Sequence, residues 1–61
     1  MNLLTIREVA QGVRVSETTV RRWIKSGILA AYKVGSRGQL RIRPEDLEMF
    51  LEGQKVKAGT D

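Results

Sequence analysis

The sequence predicts a mainly α-helical domain with one small β-hairpin, on three observations. Two hydroxyl residues suited to N-caps, Thr5 and Ser16, each precede apolar residues repeating at i, i+3, i+4, i+7. After Gly27 the period changes to two, with Tyr32 and Val34 before a glycine-bearing loop and Leu40 and Ile42 after it. Pro44 then opens a last helical pattern.

The first helix is predicted over about 6–12. Thr5 with Glu8 three residues on forms a capping box, and Leu4 and Val9 stand at the two ends of a hydrophobic staple. Ile6, Val9, Ala10 and Val13 line one face, and Gly12 is expected to close the helix. A second helix is predicted over about 17–26, capped by Ser16, stapled by Val15 and Val20, and stopped at Gly27. Its inner face is Val20, Trp23 and Ile24. Two short helices joined by so few residues outline a helix-turn-helix.

Tyr32-Lys33-Val34 and Leu40-Arg41-Ile42-Arg43 read as two strands around the turn Gly35-Ser36-Arg37-Gly38. An isolated hairpin is marginal in water, so Tyr32, Val34, Leu40 and Ile42 are expected to pack on the helices. Pro44 suits the first helical position and Glu45 and Asp46 suit the positive helix N-terminus. Leu47, Phe50 and Leu51 form the expected inner face of helix 3, with Gly53 closing it. The whole is a winged helix-turn-helix, three helices plus a two-stranded wing. It is predicted over 1–53, and 54–61 are expected to form a disordered tail.

A chain of 61 residues is one small domain that buries only roughly 60% of its unfolded surface. The absence of His and Cys removes the usual general base, the commonest metal ligand and any disulfide or thiolate–zinc staple. No catalytic residue, metal or cofactor is expected. Glu45, Asp46, Glu48 and Glu52 have no nucleophile or histidine beside them and read as capping and solubilising groups. Neither a bilayer-spanning apolar run nor a signal peptide is visible, so a soluble, cytoplasmic protein without membrane contact is expected.

Charge is unevenly placed. Residues 1–43 hold nine basic residues against Glu8 and Glu17, a net of +7, whereas residues 44–61 carry two basic and five acidic residues, a net of −3. The first part is built to meet a polyanion. On a helical wheel Arg21, Lys25, Thr18 and Arg22 fall together on the side turned away from Trp23 and Ile24, with Arg22 nearly opposite Val20. Glu17 and Thr18 lie at the N-terminal end. Arginine forks match guanine O6 and N7, and threonine can meet a base or phosphate, so this face suits the major groove of double-stranded DNA. The alternative is a solvated helix surface. Arg37 and Ser36 in the turn, with Arg41 and Arg43 on the outward face of the second strand, suit phosphates or a narrow minor groove; the alternative is an edge strand guarded by cations. Trp23 is assigned to the core or its rim, where its indole N–H could meet a phosphate, as could Ser16 and Arg43. Tyr32 is assigned to packing.

The segments Leu3–Ala10, Val13–Gly27, Val34-Gly35 and Leu40–Leu51 together resemble the excisionase-like DNA-binding domains and, more distantly, the N-terminal winged helix domain of MerR-type regulators. The resemblance implies that helix 2 enters the major groove through Glu17, Thr18, Arg21, Arg22 and Lys25, and that the wing contacts DNA through Arg37 and Arg41. It also implies a bacterial or phage, nucleoid-associated protein without catalysis of its own. Such a protein bends DNA for a recombinase or binds cooperatively in several copies; a small transcriptional regulator using the same contacts is the alternative. An integrase or RNA polymerase is an implied partner. The dimerisation helix and effector domain of full MerR-type regulators are not in this sequence, so no small-molecule ligand is expected. A rival of another class is a protein-interaction module docking an acidic partner.

Overall fold

The computed structural model describes residues 2–56; most of the tail expected over 54–61 lies outside the described residues. Helix α1 spans Ile6–Val13, α2 Glu17–Ser26, strand β1 Tyr32–Val34, β2 Gln39–Arg41 and α3 Pro44–Gly53. Three helices and a two-stranded antiparallel hairpin give the mainly helical fold that the sequence predicts.

Local signals act where expected. The Thr5 hydroxyl accepts the Glu8 N–H at 3.0 Å, and Glu8 Oε1 accepts the Thr5 N–H at 2.8 Å, closing the capping box. The Ser16 hydroxyl accepts the Thr19 N–H at 3.1 Å. Gly27, at φ 86°, ends α2, and Pro44 starts α3. Three boundaries differ: β2 is Gln39–Arg41 and not Leu40–Arg43; Gly53 is the last residue of α3, with Gln54 as its C-cap; and α1 runs through Gly12 and ends at Arg14, which takes the left-handed conformation at φ 62°. A glycine permits such a turn without compelling it. Here the turn falls later, and it lets Val15 pack against the core while its N–H reaches the Ala10 carbonyl at 3.0 Å.

Val9, Ala10, Val20, Leu29, Ile42 and Phe50 form the core, with Leu4, Ile6, Val15, Trp23, Ile24, Ala31 and Leu47 packed around it. Leu29, only 1% exposed, comes from the link between α2 and β1, which the hydropathy pattern did not mark. Its N–H donates to the Trp23 carbonyl at 3.3 Å, folding the link back over α2. Leu4 and Ile42 exchange two backbone hydrogen bonds of 2.8 Å, so the N-terminus is stitched to the base of the hairpin.

The hairpin departs from the expected inside-outside division. Tyr32 pairs with Arg41, Lys33 with Leu40 and Val34 with Gln39. Directly paired residues share a face, so Tyr32 and Val34 lie with Arg41, and Leu40 lies on the other side. The four-residue turn Gly35–Gly38, closed by the Gly38 N–H on the Gly35 carbonyl at 3.2 Å, sets this register. Ile42 is fully buried, but Tyr32 remains 43% exposed. Leu51 is also exposed instead of inward-facing. On α3, Asp46, Phe50 and Leu47 occupy an arc of about 100°, and Leu51 falls about 40° past its edge.

Candidate nucleic-acid interface

The inner side of α2 is fixed by Val20, which is fully buried, and by Trp23, whose ring centroid lies 4.6 Å from that of Phe50 at an interplanar angle of 40°. That anchoring determines what α2 shows to solvent. Glu17, Thr18, Arg21, Arg22 and Lys25 are all exposed. Arg21 Nη2 lies 3.5 Å from Glu17 Oε1, a solvated pair across one helical turn that contributes little to stability and leaves both groups displayed. Arg22 and Lys25 have no such partner among the described residues. The Ser16 hydroxyl is engaged twice, as acceptor from the Thr19 N–H and with Thr19 Oγ1 at 3.0 Å.

Ser36 and Arg37 stand exposed at the tip of the hairpin. Glycines at both ends of that turn, Gly35 at φ 76° and Gly38 at φ 68°, leave the tip free of bulk and able to approach a backbone closely. Arg41 folds back: its Nη1 donates to the Leu40 carbonyl at 2.8 Å and its Nη2 to Gln39 Oε1 at 3.4 Å. The Trp23 indole N–H has no partner within the described residues, and no buried side-chain nitrogen there is left unsatisfied, so this donor opens to the surface.

Arg43 is occupied within the fold. Its Nε and Nη2 donate to Asp46 Oδ2 and Oδ1 at 2.6 and 2.9 Å, and its guanidinium stacks 5.1 Å from the Tyr32 ring centroid. Asp46 thus does more than solubilise α3: it is buried and fastens the start of α3 to the base of the wing. The forked hydrogen bonds from Arg43 outweigh burial and hold the Asp46 carboxyl below the usual carboxylate range, while they raise the guanidinium further above its own. A carboxyl whose value is lower folded than unfolded stabilises the fold at neutral pH and loses that contribution as the pH falls through its folded value. The melting temperature of the wild type should therefore exceed that of Asp46→Asn at neutral pH, with the gap shrinking below about pH 4. A gap that is constant down to strong acid contradicts the pairing.

The link of Arg14, Val15 and Ser16 between α1 and α2, with α2 packed against α1 and presenting a cationic outer face, completes the geometry. A family model described as a helix-turn-helix domain matches residues 3–55. The chain belongs to that family. The helix-turn-helix domain is 45% identical over 49 residues to the transcriptional repressor DcmR of Methylorubrum extorquens, covering 80% of this chain and 18% of that protein. It is 48% identical over 52 residues to the uncharacterized protein YvgK of Bacillus subtilis, covering 85% of this chain and 16% of that one. The chain thus spans less than a fifth of the length of these relatives.

Within the helix-turn-helix domain, α2 occupies the position of the second helix, the one that lies in the major groove in DNA-bound members of this architecture. The exposed cations Arg7 and Arg14 were not among the residues that periodicity singled out. Arg14 carries a signal only the backbone reveals, its positive φ. Among the described residues no helix is long and apolar enough to cross a membrane.

Proposed function

We propose that this helix-turn-helix domain binds double-stranded DNA, with α2 in the major groove and the wing against the minor groove or phosphates, as the DNA-reading part of a transcriptional regulator. One observation carries the reading: Thr18, Arg21, Arg22 and Lys25 are displayed together on the solvent side of a helix whose other side is locked into the core by Val20 and Trp23. Arg22, Lys25 and Thr18 address base edges, and Arg21 does so from a position shared with Glu17. Arg37 and Ser36 at the wing tip, Arg41 at its base and the open indole N–H of Trp23 address phosphates. Arg43, bound by Asp46, contributes through the position of the wing. The repressor among the relatives favours regulation. An excisionase-like role in bending DNA uses the same contacts, and a gel-based bending assay separates the two.

A single module of this kind buries only about 600–1,000 Å² of protein surface on DNA, so several copies on repeated sites are needed for tight binding. Binding to random duplex is expected at low salt, with log K falling linearly against log salt at a slope of about −0.9 per phosphate neutralised. No binding at micromolar protein and low salt would instead favour the docking of an acidic protein partner.

A further inference from the structure

Arg14 is the one non-glycine residue at positive φ among the described residues, with φ 62° and ψ 47°. An L-residue in this conformation crowds its Cβ against a carbonyl oxygen, a strain that glycine escapes. The backbone has no room to relax it. The N–H groups of Arg14 and Val15 both donate to the Ala10 carbonyl, and Val15 is packed against the core immediately afterwards. Stability alone therefore selects glycine here, yet the residue is a long cation.

No contact of the Arg14 side chain among the described residues offsets that strain. The ion pairs among the described residues are Arg21 with Glu17 and Arg43 with Asp46, and the Arg14 side chain joins no hydrogen bond there. Arg14 is exposed. It stands two residues before Ser16, the N-cap of α2, so its Cα lies within about 7.6 Å of that of Ser16. It therefore sits at the flank of the helix that presents Thr18, Arg21, Arg22 and Lys25.

We infer that Arg14 is a phosphate-contacting residue beside α2, and that its unfavourable backbone conformation is retained because a cation at this point strengthens DNA binding. The inference rests on the DNA-binding reading above and adds a contact outside α2 and the wing. A backbone outlier is a reasonable starting point for such a role, since strain persists where function over-determines it. A phosphate contact positions the domain without reading sequence.

The test compares wild type, Arg14→Gly and Arg14→Lys by thermal melting and by titration with one defined duplex and one random duplex over a range of salt. Arg14→Gly is expected to melt several degrees higher than wild type. It should also bind both duplexes about fivefold more weakly at low salt, with a salt slope smaller in magnitude by about 0.9. Arg14→Lys is expected to keep the wild-type slope and melting temperature. The slope decides. If Arg14→Gly binds with the wild-type slope and affinity, the inference is overturned and DNA binding by α2 stands. If wild type itself binds neither duplex, both readings are overturned. A lower melting temperature in Arg14→Gly would also overturn it, since the strain argument requires the opposite sign.

Discussion

Leu29→Ala is expected to leave a large fraction of the molecules unfolded at temperatures where the wild type is fully folded. Removing a fully buried leucine costs about 2–5 kcal/mol, a transfer loss plus a cavity that the surroundings fill only in part. A domain of this size holds only about 3–9 kcal/mol in total at 0.05–0.15 kcal/mol per residue. Leu29 belongs to one buried cluster with Val9, Val20, Ile42 and Phe50, which come from α1, α2, the residue after β2 and α3, so a void here falls where all of these elements meet. Met49→Ala, at a side chain 72% exposed, is the matched control and should change little. Melts followed by far-ultraviolet circular dichroism and by Trp23 fluorescence measure both. Equal small shifts in the two variants would mean that Leu29 is not the centre of the core.

The second large effect falls on recognition. Arg22→Ala is expected to lower affinity for a preferred site by roughly 5- to 150-fold, the equivalent of the 1–3 kcal/mol carried by one good bidentate contact to a base. Affinity for random duplex should fall much less. Arg22 is the choice because it lies on the side of α2 opposite Val20 and has no ion-pair partner, whereas Arg21 is shared with Glu17. Lys33, paired across the hairpin with Leu40 on the face opposite Arg41, provides the contrast, and Lys33→Ala should bind nearly as wild type. Competition titrations against specific and random duplex read the difference. Equal losses on both would assign Arg22 to phosphate contact and remove base reading from its role.

Much of the domain was legible in one dimension because its signals are short-range. A capping box needs only Thr5 and Glu8, three residues apart; a helix start needs only Ser16 or Pro44; and one buried face needs only the spacing of Val20, Trp23 and Ile24. Each is settled within one or two turns, and each stands in the structure where the spacing placed it. The exposure of Glu17, Thr18, Arg21, Arg22 and Lys25 follows directly, since fixing one side of a helix fixes the other. Gly12 shows where this reasoning fails even locally. The residue that ended α1 was decided by Val15 reaching the core.

What the sequence by itself determined is therefore the set of elements, their order and the cationic side of α2. Tertiary structure decided how they meet: the insertion of Leu29, the stitch between Leu4 and Ile42, the hairpin register that leaves Tyr32 on the face of Arg41, and the capture of Arg43 by Asp46. It also decided the left-handed turn at Arg14. Some of these join residues distant along the chain. Others, such as Arg43 with Asp46, join near neighbours through rotamers that only the surrounding packing selects. In the hairpin a slip of one residue exchanges the two faces while leaving the composition untouched. Spacing can say that an apolar residue seeks cover, but the cover itself is made only when the chain closes on itself.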